Sequence, residues 1–195
     1  THQIIPDRIE AATFLVASAI NQGDLIVENI ITSHIRPVIA KLRETGCVIE
    51  EFSEKDEIRI IGPKDLKATS IKTMPYPGFP TDVQAQFMTL MCVCKGNSKV
   101  EETVFENRFM HVDELIKMGA IIATEGKEAR IAGVPKLVGA DVRATDLRAG
   151  AALVLAGMVA EGETSVNDIY HIDRGYCDFV GKLKSIGVDV DRIKA

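Results

Sequence analysis

The sequence has no surplus of basic residues. Its 195 residues carry 23 Lys and Arg against 28 Asp and Glu, a formal net charge of −5. Nucleic-acid backbones are bound by clustered cations, so nucleic acid is excluded as the main partner. Any anionic ligand must instead be met by a few placed cations. No run of 18 apolar residues occurs, so no helical membrane span of ordinary length is expected. The first residues, THQIIPDRIE, have neither a basic opening nor a long apolar block, and do not read as a secretion leader. They also lack Met, so the chain is expected to be a piece of something longer. The four cysteines, Cys47, Cys92, Cys94 and Cys177, lack the spacing of a disulfide framework. They read as reduced thiols, which suits a cytoplasmic location. There is no GxGxxG fingerprint and no P-loop. Cys92-Val-Cys94 has no second Cys or His pair nearby, so no metal and no cofactor is expected.

What is present is ordinary globular material, 46% hydrophobic and 26% charged, organised as a repeat. The segments VIAKLRETGCVIEEFSEKDEIRIIG (38–62), VDELIKMGAIIATEGKEARIAG (112–133) and FVGKLKSIGVDVDRI (179–193) resemble one another. Each reads as an amphipathic helix, a glycine and a strand. Gly46, Gly119 and Gly187 stand where a helix end needs a left-handed residue. A second triplet lies upstream: ATFLVASAINQGDLIVENI (12–30), AQFMTLMCVCKGNSKVEETVF (85–105) and AALVLAGMVAEGETSVNDI (151–169). Each of these reads as an apolar helix, a glycine and an alternating strand. The unit is therefore strand–helix–strand–helix–strand–strand, with copies over about 1–63, 64–134 and 135–195 of a single domain. Residues 3–5, 71–73 and 141–144 are expected as leading strands. The near-uniform apolarity of the helix starts in copies one and three predicts that these helices lie inside the domain. Copy three lacks the strand that closes the other two at Gly62 and Gly133. Its partner strand is expected from the rest of a longer chain, because a bare edge is a liability.

Helix starts are where chemistry is expected. The first helices open near Asp7, Asp82 and Asp146, the second at Ser33, Asn107 and Asp173. All are favoured N-cap types, and a capping role competes with a functional one for each aspartate. The Pro- and Gly-rich tract MPYPGFPTD (74–82) predicts a rigid turn into Asp82, which favours function there. His34, Arg108 and Arg174 follow the second-helix starts, and Arg148 lies in the first turn of its helix. A cation there opposes the helix dipole unless an anion faces it. The pattern reads either as an anion site where helix starts and arginines converge, or as pairs with carboxylates such as Glu106 or Asp173. His171-Ile-Asp173 could be an acid–base pair, but no nucleophile motif supports it.

The stretches IPDRIEAATF (5–14), YPGFPTDVQAQF (76–87), ETVFENRFMHVDEL (102–115), ATDLRAGAALVLAG (144–157) and IYHIDRGY (169–176) together resemble the bacterial UDP-N-acetylglucosamine enolpyruvyl transferases. The resemblance spans nearly the whole chain. It implies an inside-out α/β (α+β) domain of three pseudo-symmetric βαβαββ repeats, the third lacking its last strand. It also implies that this domain is half of a two-domain enzyme of cell-wall synthesis, with substrates in the cleft between domains. The partners implied are UDP-N-acetylglucosamine, phosphoenolpyruvate, a missing N-terminal segment and a second catalytic domain. By the same resemblance Asp82 is a sugar-nucleotide contact and general base, and Val104 a backbone contact to the sugar nucleotide. Arg174 is implied to bind phosphoenolpyruvate, and Arg108 and Arg148 to be cleft arginines with Asp146 held near them. The family's Lys-Asn pair and its loop cysteine are not in this piece, so the chain alone is expected to be inactive. An acceptor such as shikimate 3-phosphate, or a non-catalytic binding module, are the alternative readings.

Overall fold

The computed structural model describes residues 4–193. Helix α1 (Arg8–Ile20) is apolar nearly all round, and so are α3 (Gln84–Cys92) and α5 (Leu147–Met158). A helix without a polar face must be covered on every side. These three pack on one another in the centre of the domain, and every residue of α3 is buried. Thr89 Oγ1 of α3 donates to the Ala152 carbonyl of α5 (3.3 Å). The sheets lie outside the helices, with one face inward and one outward.

In repeat one, β1 (Asp24–Val27), β2 (Val48–Phe52) and β3 (Glu57–Ile61) form an antiparallel sheet in the order β1-β3-β2. Its second helix is α2 (Arg36–Glu44), preceded by a 3-10 turn at Thr32–Ile35. Repeat two gives β4 (Ile71–Lys72), β5 (Asn97–Glu101), β6 (Ile121–Glu125) and β7 (Glu128–Ala132), ordered β4-β5-β7-β6. Its second helix, α4, covers Val112–Lys117. In β7, Ala129 and Ile131 are buried while Arg130 faces out, the period-2 alternation of a half-covered strand. The helix-ending glycines Gly46, Gly119 and Gly187 have φ of +99°, +86° and +89°, as their place in the repeat predicts.

Repeat three differs. Strand β8 (Leu137–Val138) pairs with β10 (Ala160–Glu161), and β9 (Asp141–Arg143) pairs with β11 (Ser165–Asn167), both in parallel. Its later helices are α6 (Tyr170–Asp173) and α7 (Phe179–Ser185). The strand expected in 188–193 is not formed. In the other repeats β2 and β6 pair only with β3 and β7. With no counterpart of those strands beside β11 among the described residues, 188–193 has no ladder to join.

Two further expectations are corrected. Of the leading strand at 3–5, Gln3 lies outside the described residues, and Ile4 and Ile5 form no strand. The second helices do not start at Ser33, Asn107 and Asp173. Ser33 sits in a 3-10 turn, Asn107 in a run of turns five residues before α4, and Asp173 at the end of α6. The N-cap of α7 is Asp178, in the left-handed region, with its carboxylate accepting from Gly181 N–H. Short polar caps were available, but the chain enters these helices through turns set by the packing beneath them.

Candidate functional site

Three aspartates occupy corresponding places before α1, α3 and α5, but only two of them cap a helix. Asp7 accepts hydrogen bonds from Ile9 N–H (2.7 Å) and Glu10 N–H (3.3 Å). Asp146 accepts from Arg148 N–H (2.7 Å) and Ala149 N–H (2.9 Å). Asp82 does neither. A 3-10 turn, Thr81–Val83, precedes α3, so Asp82 lies one step inside the helical run. Its carboxylate is released from the backbone and turns to side chains.

Those side chains are arginines from two repeats. Arg108 Nη2 donates to Asp82 Oδ1 (2.5 Å), and Arg148 Nη2 lies 3.5 Å from Asp82 Oδ2. Arg108 is only 7% exposed, and its Nε also donates to the Thr81 carbonyl (3.2 Å). Its guanidinium stands 5.1 Å from the Phe105 ring centre, and that of Arg148 5.7 Å from the Tyr176 ring centre. Arg148 Nη1 is buried with no hydrogen-bond partner among the described residues. The Asp82 side chain is 45% exposed, so the cluster opens to solvent through its acid. Oδ2 makes no hydrogen bond among the described residues and has only the longer ion-pair contact to Arg148.

The backbone at 81–82 is pinned. The tract before it is a closed turn, in which Gly78 N–H donates to the Pro75 carbonyl (2.8 Å) and Met74 N–H to the Phe79 carbonyl (2.9 Å), with a cis Tyr76–Pro77 bond. Gln86 Nε2 donates to the Asp82 carbonyl (3.0 Å). The same nitrogen reaches Thr13 Oγ1 (3.1 Å) and Tyr176 OH (3.3 Å), which are themselves 2.8 Å apart. Thr13, Gln86 and Tyr176 come from repeats one, two and three. One buried polar knot thus ties all three repeats to the residue whose carboxylate meets the two arginines.

The other expected site residues are placed as follows. Val104 is exposed, and its N–H is already donated to Glu102 Oε1 (2.8 Å). Arg174 follows α6 as its C-cap, is exposed, and has no ion pair among the described residues. It lies at the end of a helix, not the start, and Arg108 lies in turns before α4. Asp82, Asp146 and Arg148 stand at helix starts as expected, whereas Arg108 and Arg174 do not, so the expected convergence of helix starts and arginines is corrected for those two. The proposed alternative partners are corrected too. Arg108 pairs with Asp82, not Glu106, and Asp173 pairs with Arg192 (2.6 Å).

Sequence reasoning missed Glu102, Gln86, Tyr176 and His111. Glu102 was visible in principle: Ser98, Val100 and Glu102 are the inward positions at the end of β5, and a carboxylate on a buried face must be satisfied by donors. His111 lies buried beside Arg108 and Asp146. Burial pushes its imidazole down to about 4, against the smaller opposing pull of Asp146, so it is uncharged at neutral pH. Cys92 and Cys94 are buried thiols, pushed up to about 12 chiefly by desolvation. Among the described residues no group of three His, Cys, Asp or Glu could hold a metal ion, and no helix is long and apolar enough to cross a membrane.

A family model described as EPSP synthase (3-phosphoshikimate 1-carboxyvinyltransferase) matches residues 1–183. The chain is 68% identical over 193 residues to the UDP-N-acetylglucosamine 1-carboxyvinyltransferase of Finegoldia magna, covering 99% of this chain and 46% of that protein. It is 59% identical over 191 residues to UDP-N-acetylglucosamine 1-carboxyvinyltransferase 1 of Caldanaerobacter subterraneus subsp. tengcongensis, covering 98% and 46%. Among solved structures, the enolpyruvyl transferase NikO from Streptomyces tendae superposes with a TM-score of 0.86 at 29% identity, covering 95% of this chain and 44% of that one. An EPSP synthase from Acinetobacter baumannii shares the fold, with a TM-score of 0.80 at 19% identity, covering 97% and 48%. The chain spans about half the length of the relatives it matches.

Proposed function

The chain belongs to the family that the 3-phosphoshikimate 1-carboxyvinyltransferase model describes, and from that premise we propose that it is one half of an enolpyruvyl transferase. The acceptor in this proposal is the 3-hydroxyl of UDP-N-acetylglucosamine and the donor is phosphoenolpyruvate. The reaction is the first committed step of peptidoglycan synthesis, run in the cytoplasm, where the free thiols suit a reducing milieu. The observation that carries it is Asp82, a solvent-facing carboxylate held by buried Arg108 and by Arg148 at the mouth of a rigid turn.

In the forward reaction the acceptor oxygen bonds to C2 of phosphoenolpyruvate while C3 gains a proton. A proton then leaves C3, and the bond from C2 to the phosphate oxygen breaks. Asp82 Oδ2 takes the hydroxyl proton, because a general base must lie within hydrogen-bond reach of it. Arg108 and Arg148 fix the base, and the unpaired Arg148 Nη1 adds a buried donor beside it. Arg174 binds the donor's anionic groups, consistent with an exposed guanidinium that has no partner among the described residues. The Val104 carbonyl contacts the sugar nucleotide. The second domain supplies the opposite wall of the cleft and the proton donor, and the remainder of the enzyme supplies the strand that lies beside β11. A non-enzymatic module would have no use for a half-exposed carboxylate between two arginines.

Phosphate release by the full-length protein is expected with phosphoenolpyruvate plus UDP-N-acetylglucosamine, and not with shikimate 3-phosphate. The isolated 195-residue chain is expected to give none. Turnover with shikimate 3-phosphate would transfer the reading to the other acceptor. Arg174→Ala in the full-length protein is expected to raise the phosphoenolpyruvate KM by at least about tenfold, the loss of a charge-assisted contact. An unchanged KM would remove Arg174 from the donor site.

A further inference from the structure

Glu102 is a carboxylate that is 3% exposed and has no cation in bonding range among the described residues. Burying such a charge is costly unless donors surround it. Four do. Oε1 accepts from Thr73 Oγ1 (2.7 Å), Val104 N–H (2.8 Å) and Phe105 N–H (3.0 Å), and Oε2 accepts from Thr81 Oγ1 (3.0 Å). The residue is itself anchored, since its N–H donates to the Lys127 carbonyl at the end of the β5–β7 ladder (2.8 Å).

The two oxygens serve different parts of the site. Oε2 holds Thr81, the residue before Asp82, whose carbonyl also takes Arg108 Nε. Oε1 holds the turn at Val104 and Phe105, and Phe105 is the ring under Arg108. A single rigid group therefore sets the distance between the segment carrying Asp82 and the turn at Val104 and Phe105. Arg108 also spans the two segments, but it meets Phe105 only through the ring face; Glu102 is the buried side chain that hydrogen-bonds to both.

We propose that Glu102 is a positioning residue for the acceptor: it fixes the Asp82 carboxylate and the 104–105 backbone in one register, so that the acceptor hydroxyl meets the base. The proposal rests on the reading of Asp82 as the base. Glu102 touches neither substrate.

The test uses the full-length protein and steady-state phosphate release with UDP-N-acetylglucosamine. Glu102→Ala is expected to lower kcat by about 10²-fold, the size of effect that a misplacement of about 1 Å produces, and to raise the acceptor KM. Glu102→Gln is expected to stay within about tenfold of the parent. Its carbonyl still accepts at the Oε1 position, and its amide can donate to a Thr81 hydroxyl that has turned to accept. Thr81→Val severs the Oε2 link alone. It is expected to lower kcat about tenfold with the acceptor KM unchanged, and it decides the matter if Glu102→Ala does not fold.

A double-mutant cycle separates positioning from general weakening. If Glu102 acts through Asp82, Asp82→Asn combined with Glu102→Ala has the kcat of Asp82→Asn alone. Multiplied losses overturn the proposal, as does a Glu102→Ala or Thr81→Val enzyme with parental kcat. If Asp82→Asn itself turns over normally, the base assignment falls and the proposal with it. If Asp82→Asn collapses and Glu102→Ala does not, the proposal alone falls.

Discussion

Asp82→Asn in the full-length protein is expected to lower kcat by about 10² to 10⁴-fold, the range that a positioned general base contributes, with little change in thermal stability. The substitution suits the geometry. The amide oxygen can still accept from Arg108 Nη2, so the buried guanidinium keeps a partner. What is lost is the basicity of Oδ2, the oxygen with no hydrogen bond among the described residues. Alanine would be a poorer probe, because it would also strip a buried cation of its acceptor. The check is kcat at saturating substrates beside a melting curve. A parental kcat would show that the carboxylate is not the base, and an unfolding shift as large as the kinetic loss would show that the pair is structural.

Gly133→Ala is expected to destabilise the domain by at least about 3 kcal/mol, at or beyond the usual ceiling for overpacking. A Cβ at Gly133 would sit 1.6 Å from the Cys94 carbonyl oxygen and 2.8 Å from its carbon. Neither side can give way cheaply. Gly133 N–H donates to the Gly96 carbonyl (3.0 Å), and Val134 N–H donates to the Cys92 carbonyl (2.7 Å), which fastens the end of β7 to the end of α3. For a domain of this size the loss corresponds to a fall in Tm of about 10 °C. A melting curve within about 2 °C of the parent would show that the backbone relaxes around the new methyl. Gly62 holds the matching place in repeat one, where a Cβ would meet the Ala19 carbonyl at 2.8 Å.

The repeat itself was legible because each copy keeps two independent markers, an apolar helix and a helix-ending glycine, at matched spacing. The burial of α1 and α5 followed from their apolar starts, and α3 proved to be buried along its whole length as well. The candidate residues were legible as types but not as geometry. Arginines after polar cap residues suggested helix N-termini, yet Arg108 and Arg174 lie in a run of turns and at a helix end. Local signals decide a cap only where nothing tertiary competes, and here the packing of turns over the central helices competes. Glu102 escaped notice for a related reason: its neighbour Glu101 faces solvent and pairs with Lys72, so the two glutamates look like one charged strand end until the pleat is followed inward.

The sequence determined that three similar units build this chain, that the first helices of the first and third are internal, that the third unit lacks a strand, and that any anion would be met by a few placed arginines. Periodicity and glycine spacing are local properties, and they survive whatever the units pack against. Only the tertiary structure decided what the Thr-Asp pair shared by copies two and three does in each. Thr145-Asp146 caps α5, and its carboxylate is spent on backbone N–H groups. Thr81-Asp82 has the same letters, but Glu102 holds the threonine, Gln86 holds the aspartate's carbonyl, and Arg108 draws the carboxylate outward. A capping carboxylate and one turned toward arginines differ by one turn of backbone, and that turn is held by Gln86 close by and by Glu102 and Arg108, 21 and 26 residues away in sequence.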